Sequence, residues 1–416
     1  MSITRIKSGK KEGQYRVRIQ PIDEETGKVI SIPSQIATSR VAATKLEREM
    51  WSEFYNGKYS AESSLEFAQT LNKYCEEEHK AGRWGEITYS TWRYTCELVK
   101  NYFGTTKIRN INENNIRSFA RDYITNHKKA AVSRHSTIDK QLQHIRSYFS
   151  VLQERGIIKV NPVPPNALRK FFRLDEFNTS QEKYVFSTDE VNLLKETIIN
   201  DLYKLHSDFW GSRIGILIAL DTGMRPQEIQ ALKWSQIIKE GNYTVFEIND
   251  SWSEKLKDFN GHLKGRSRGV TRKTINLSFE VQKVLDIYHQ KQIELLEKKG
   301  VLNKNNLILL NCRDTRLIKN GSPITQKSMN DVLKKVCQEI HVNNGNKPIS
   351  MYTCRHTVAT RLGNKAGMSY PWAAARLGHS LEMFMKTYVH ADQDKSQTMM
   401  DLMNNENNED LKLKSI

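Results

Sequence analysis

Asn161-Pro162-Val163-Pro164-Pro165 is the sharpest punctuation in this chain. Proline gives no amide hydrogen to a helix or sheet and drives the residue before it out of the helical region, so no regular element runs through this run. The patterns on its two sides differ. From about residue 63 to 158 the apolar positions recur at helical spacing: Ile116, Phe119, Ala120, Tyr123 and Ile124 form one stripe, and Ile138, Leu142, Ile145, Phe149 and Leu152 a second. Ser136 stands where an N-cap belongs and Gly156 where the helix ends. Beyond Phe186, helical stripes over 191–199, 214–220, 281–296 (closed by Gly300) and 329–340 (capped by Thr325) are interrupted by strand-like runs over 243–248 and 274–277.

Ahead of the helical stretch, Gln14-Tyr15-Arg16-Val17-Arg18-Ile19 alternates polar and apolar residues. Glu25-Thr26-Gly27-Lys28 offers a turn, Val29-Ile30-Ser31-Ile32 a returning strand, and a third strand is expected near Ile36, before a helix over 41–55 capped by Ser39. A chain of 416 residues is also too long for one ordinary core. The expectation is a multidomain protein. A small β-sheet plus helix forms an N-terminal domain over 1–58, and an all-α domain follows over 63–161. An extended connection over 162–183 leads to a mixed, mainly α domain with a small antiparallel sheet over 184–400, and an Asn- and Glu-rich tail covers 401–416.

Sixty-four Lys and Arg against 47 Asp and Glu leave a net charge of +17, which points to a polyanionic partner. Arg5, Lys7, Lys10, Lys11, Arg16 and Arg18 lie in and before the first strand, against the single acid Glu12; Lys128, Lys129, Arg134 and Lys140 lie between the helical stripes. A strand with alternate basic side chains can enter a major groove or lie along phosphates, and the bland reading is the wet face of a small sheet. The five cysteines are widely spaced with no C-x-x-C pair, which argues for reduced thiols in the cytosol and against a disulfide framework or zinc finger. No signal-peptide core and no apolar run of about 18 residues occurs, so a soluble, intracellular protein with no membrane partner is expected.

Four short motifs carry chemistry. Arg225 lies in Thr222-Gly223-Met224-Arg225-Pro226-Gln227-Glu228; Arg355 is followed by His356 and Thr357; Leu377-Gly378-His379 comes next; and Tyr388 stands nine residues past that histidine. Attack on a phosphodiester builds charge on its non-bridging oxygens, and the guanidinium fork matches them better than an ammonium does. A tyrosine can be the nucleophile, although forming its phenolate at neutral pH costs about 4 kcal/mol, which cations or a base must offset.

In order and approximate spacing these motifs resemble the boxes of the tyrosine recombinases, the lambda-integrase family, and in particular the phage and conjugative-transposon integrases. The resemblance extends over essentially the whole chain. It implies arm-binding, core-binding and catalytic domains in that order, acting on core and arm sites of double-stranded DNA. It further implies that Arg225 and Arg355 hold the scissile phosphate, that His379 donates to it or orients the site, and that Tyr388 forms a covalent 3'-phosphotyrosine and frees a 5'-hydroxyl. Because the bond is exchanged and not hydrolysed, no metal, ATP or other cofactor is implied. It implies a homotetramer on DNA, with an accessory DNA-bending or excision factor as a further partner, and a cytoplasmic, DNA-associated protein that is bacterial or phage-encoded. Glu228 is read as a buttress.

Two departures from the family pattern stand out. The family's general acid is a lysine in a β-hairpin, and its usual spacing lands here on Ser267; Lys264 fills the role if the turn is longer, as Gly265 and Gly269 allow. Arg266, Arg268 and Lys273 are the competitors, with Arg266 and Arg268 also read as phosphate contacts. Three residues before Arg355, where the family has histidine, stands Tyr352. A phenol can donate to a phosphate oxygen but is a poor base near pH 7. Either Tyr352 only donates and positions, or the Tyr388 proton leaves through another group or water. His356, about 100° around the helix from Arg355, is read as supporting. Two other functions share these motifs: a DNA-binding protein that keeps the fold without strand exchange, and a type IB topoisomerase. The basic N-terminal sheet favours the integrase, since a second DNA-binding domain suits bridging of distant sites.

Overall fold

Alternation and two glycine turns build the first sheet. Strands β1 (Ile3–Arg5), β2 (Tyr15–Val17) and β3 (Gln35–Ala37) pair antiparallel in that order, and Gly9 and Gly13, at φ of 91° and 85°, shape the β1–β2 connection. Among the described residues of 29–32 the expected returning strand is not formed: Val29 makes a single bridge to Ile22, and Ile3–Arg5 takes the place beside β2 instead. Pro21 and Pro33 flank that segment and cannot donate to a ladder. Helix α1 (Arg40–Tyr55) follows, its second residue's neighbour Ala42 donating to the Ser39 hydroxyl at 3.1 Å, and Val17, Ile19, Ala43 and Met50 form the small core beneath.

This is a computed structural model, described over residues 2–22, 29–30, 32–55, 62–127, 130–178, 183–389 and 400; Lys128, Lys129, the turn at 25–28 and the tail over 401–416 lie outside the described residues. The chain divides into two compact units, Met1–Ser180 and Gln181–Ile416.

Within the first unit the helical stripes become α2 (Phe67–Lys80), α3 (Glu86–Phe103), α4 (Glu113–Asn126) and α5 (Thr137–Glu154) around Phe67, Leu71, Ile116, Ile138, Ile145 and Phe149. The Ser136 hydroxyl accepts from the Asp139 amide, and Gly156 takes a left-handed conformation after the last turn. The segment after the prolines is not simply extended: it carries the short helix α6 (Ala167–Phe171), and Val163, Leu168, Phe171 and Phe172 are buried in the same core. A five-residue helix is too short to print a periodic stripe.

The second unit is mainly helical with small antiparallel sheets. Its centre is α8 (Trp210–Thr222), buried on every side except at Arg213 and packed against α7 (Thr188–Lys204), α10 (Phe279–Lys299), α12 (Gln326–Glu339) and α13 (Met351–Gly363). Gly300 in the left-handed region ends α10, and the Thr325 hydroxyl caps α12. Short elements complete the unit: α9 (Pro226–Gln230), β4 (Ile237–Glu240), β5 (Tyr243–Ile248), β6 (Trp252–Ser253), β7 (Asp258–Phe259), β8 (Arg272–Lys273) and α11 (Thr315–Lys319). β5 pairs with β4 and β8, while β6 and β7 form a separate hairpin. The expected strand over 274–277 is shifted, since only Arg272–Lys273 keeps ladder register before Thr274 and Leu277 donate singly to β5 carbonyls. Helices α14 (Tyr370–Leu377) and α15 (Leu381–Tyr388) close on α13 over a small core of Val358, Ala359, Leu377, Phe384 and Tyr388. That core sets the site.

Candidate active site

Each motif owes its position to local backbone chemistry. Gly223 ends α8 at φ 62°, and a Cβ there would crowd Leu377 and Val358. Arg225 then serves as the N-cap residue of α9, with Pro226 at the first helical position and Glu228 at the third; the Glu228 carboxylate accepts from the Arg225 amide at 2.9 Å and from its Nη1 at 2.9 Å. Gly378 ends α14 at φ 67°, and His379 donates its amide back to Ala374 in a Schellman turn. A side chain at Gly378 would meet the guanidiniums of Arg272 and Arg225. At Gly363 a Cβ would collide with the Tyr388 backbone, so this glycine lets α15 seat against α13.

The last carbonyls of a helix have no partner within it. Three successive ones at the end of α14 each receive an arginine: Arg376 takes Arg272 Nη1, Leu377 takes Arg355 Nη2 at 2.6 Å, and Gly378 takes Arg225 Nη2 at 2.7 Å. Arg355, only 3% exposed, also donates to Gly223 at 2.8 Å. Glu228 is buried and holds Arg272 at 2.6 Å as well as Arg225. Three guanidiniums against one carboxylate leave a net positive cradle fixed by carbonyls.

The electrostatics follow from that packing. Burial pushes the Glu228 carboxyl up, but Arg272, Arg225 and Arg355 outweigh it and hold the group below its ordinary value. Burial, then Arg225, pulls Arg355 down to about 9, so it stays positive at neutral pH. His379 is pushed to about 2 by burial and by the three arginines, and is neutral. Its Nε2 receives Arg355 Nη2; since a guanidinium only donates, the ring hydrogen is on Nδ1, a buried atom with no partner among the described residues. Tyr388 stacks on the His379 ring at 5.5 Å and 8°, and its phenol is raised by burial although Arg355 and Arg225 oppose this.

The structure therefore brings Arg225, Glu228, Arg355, His379 and Tyr388 together. It adds Arg272, which sequence reasoning missed; the signal was an arginine directly ahead of the apolar run after Thr274. His356 touches Tyr388, with Nδ1 2.8 Å from the phenolic oxygen. Tyr352 does not: 37% exposed, it donates to Gln227 Oε1 at 3.2 Å. Lys264, Arg266 and Arg268 are exposed on the loop between β7 and β8, and among the described residues Lys264 has no polar partner. Arg266, Lys273 and Arg376 line a groove of about 280 Å³ with Arg272. In the first unit Arg5, Lys7, Lys10, Lys11, Arg16, Arg18, Arg134 and Lys140 are all exposed, while Val17 and Ile19 point inward between the basic positions of β2.

Residues 185–395 match the profile of the phage integrase family, and residues 66–172 that of the phage integrase SAM-like domain. The chain belongs to the phage integrase family. It is a tyrosine recombinase, a site-specific enzyme that breaks and rejoins DNA, which sets aside the reading of a DNA-binding protein without strand exchange. Among solved structures this recombinase resembles the Tn1549 transposon integrase in complex with a circular intermediate DNA (18% identity, TM-score 0.59, covering 81% of this chain and 99% of that one). It also resembles the XerH site-specific recombinase bound to palindromic difH in a post-cleavage complex (17%, 0.56, 88% and 90%). A third is a lambda integrase tetramer bound to a Holliday junction (14%, 0.50, 94% and 97%). At these identities the likeness is one of fold. No curated protein sequence matches the chain significantly. Among the described residues of the recombinase no helix is long and apolar enough to cross a membrane.

Proposed function

We infer that this recombinase integrates or excises a mobile element, with Tyr388 as the nucleophile that becomes joined to the 3'-phosphate. The observation that carries the reading is the cradle of Arg225, Arg272 and Arg355 beside the Tyr388 phenol. A phosphodiester carries one negative charge and gains a second as the phenolic oxygen adds. Guanidiniums held in advance by helix-end carbonyls meet that charge without reorganising. His379 helps orient the site, its Nε2 holding Arg355. Lys264 then protonates the leaving 5'-oxygen once DNA orders its exposed loop, and Tyr352 donates to the phosphate or positions it.

The DNA contacts divide in two. Arg5, Lys7, Lys10, Lys11, Arg16 and Arg18 suit arm sites; Lys128, Lys129, Arg134, Lys140, Arg266 and Arg268 suit the core site, with domains over 1–58, 63–161 and 184–400. Strand exchange between two duplexes breaks four strands, so four copies of the chain act together, the state that the lambda integrase complex is named for. The deciding experiment traps the protein on nicked duplexes selected from a randomised pool by retention on it. A denaturation-resistant adduct is expected from the parent and none from Tyr388→Phe; an adduct persisting in the variant removes Tyr388 from the role. Relaxation of supercoils without exchange between two sites would make the enzyme a type IB topoisomerase.

A further inference from the structure

Cleavage by Tyr388 leaves one proton to place. The phenolic hydrogen must depart as the oxygen joins phosphorus, and the side chain that occupies the family's histidine position, Tyr352, gives its hydroxyl to Gln227 instead. Among the described residues the polar partner of Tyr388 Oη is Nδ1 of His356, at 2.8 Å. The geometry points to His356 as the proton acceptor for Tyr388, one residue on from Arg355 and in place of the histidine missing at 352. This rests on the reading of Tyr388 as the nucleophile.

The other groups around the phenol cannot accept. Arg225, Arg272 and Arg355 are donors only, and Glu228 already holds two guanidiniums. His379 takes Arg355 on Nε2 and carries its hydrogen on Nδ1, so its one acceptor lone pair is not free. His356 faces Tyr388 with Lys183, Arg355 and His379 as its charged or titratable neighbours. Burial first, and then Lys183 and Arg355, hold its ring down to about 4, so at neutral pH the imidazole is unprotonated. With its ring hydrogen on Nε2, Nδ1 accepts from the phenol.

A weak base suffices because the phenolic oxygen loses proton affinity while its lone pair forms the O–P bond. The phosphate also brings negative charge that offsets the cations depressing His356. In the balanced step the O–H bond of Tyr388 breaks and its proton passes to His356 Nδ1. The O–P bond forms, and the bond to the 5'-oxygen breaks with its electron pair and takes a proton from Lys264. On rejoining, the incoming 5'-hydroxyl gives its proton to the neutral Lys264 amine and the His356 imidazolium returns one to the departing Tyr388 oxygen, so the enzyme ends as it began.

The test compares single-turnover adduct formation by the parent, His356→Asn, His356→Gln and Tyr388→Phe on the selected nicked duplexes at saturating DNA. Two amides of different reach are used so that a folding failure in one leaves the other to read. An amide oxygen keeps the hydrogen bond but takes no proton. At pH 7 the amide variants should be slower by about 10²–10⁴-fold with DNA binding unchanged. Their deficit should shrink by about tenfold per pH unit as the phenol ionises on its own, and it should persist on a 5'-bridging phosphorothiolate, whose leaving group needs no acid. Variants that cleave within about twofold of the parent, or a deficit that is flat with pH, overturn the assignment and leave His356 as packing or positioning. If the parent forms no adduct, or Tyr388→Phe still forms one, the nucleophile reading fails with it; a Tyr388-dependent adduct with indifferent His356 variants sinks this assignment alone.

Discussion

The two sides of the scissile bond are built differently. On the proposed attacking side, Arg225, Arg272, Arg355, Glu228, His379 and Tyr388 are buried or nearly so, and the three guanidiniums are tied to helix-end carbonyls, to Glu228 and to His379. On the leaving side, where Lys264 is proposed to act, that lysine sits in solvent on the loop between β7 and β8, flanked by the exposed Arg266 and Arg268 and by Gly265 and Gly269, both at positive φ. The first half stands in place before any substrate arrives. In the second, Lys264 has no polar partner among the described residues, and under its proposed role DNA supplies the order. With Lys264 as the proposed acid, that division lets a phosphate be recognised everywhere while the completing proton donor is aligned only by the bound duplex.

Breaking the fixed half should cost the fold as well as the chemistry, and this is the largest effect expected. Glu228→Gln leaves Arg225 and Arg272 buried with no counter-charge. Removing one partner of a buried ion pair costs about 3–5 kcal/mol. Urea unfolding of the full chain should show that loss together with loss of adduct formation. A variant within about 1 kcal/mol of the parent would mean the cradle relaxes freely and is not pre-organised at all.

The loop should behave in the opposite way. Lys264→Ala removes an exposed side chain, so stability should stay within about 0.5 kcal/mol, while cleavage slows by about 10²–10⁴-fold if it is the general acid. A 5'-bridging phosphorothiolate should restore the rate. Failure of that rescue, with rescue seen instead for Lys273→Ala, would transfer the acid role to β8, where Lys273 pairs with Glu240 at 3.3 Å.

Acid should also separate the halves. His356 and His379 are held at about 4 and about 2, below their ordinary 6.5. Below pH 6.5 the unfolded chain takes up protons that the folded one refuses, so this contribution to stability is whole above that pH and is lost as pH falls towards 4. Melting temperatures between pH 7.5 and 4.5 should fall less steeply for His356→Asn than for the parent, and with the parent's slope for Lys264→Ala. Equal slopes for all three would place His356 in an ordinary solvated setting.

The attacking half was readable in the sequence wherever function and local backbone share the same residues. Pro226 and Glu228 after Arg225 write a helix start, and Gly378 before His379 writes a helix end; these are also what place the arginine and the histidine. Arg272 stayed hidden because its partner Glu228 is 44 residues away, across a sheet contact that no period encodes. The His356–Tyr388 contact spans 32 residues and depends on Gly363 letting two helices meet. In the first unit the short strand Ile3–Arg5 and the five-residue helix Ala167–Phe171 escaped for another reason, being shorter than the patterns that betray such elements.

Tyr352 lies between the two halves and should give the smallest effect. Its hydroxyl makes one neutral hydrogen bond, at 3.2 Å to Gln227 and partly in water, worth about 0.5–1.5 kcal/mol at most. Tyr352→Phe should therefore slow single-turnover cleavage by no more than about tenfold, far less than Arg355→Ala, which removes two carbonyl-held donors from the phosphate cradle and should cost at least about 10²-fold. Tyr352→His restores the residue type that the family carries there. With Tyr388 already bonded to His356, the new imidazole has no proton left to take, and the rate should stay within about threefold of the parent across pH 6–8. Near-complete inactivation of Tyr352→Phe would move the hydroxyl onto the reacting phosphate and make this exposed tyrosine a third component that DNA draws into place, as proposed for Lys264.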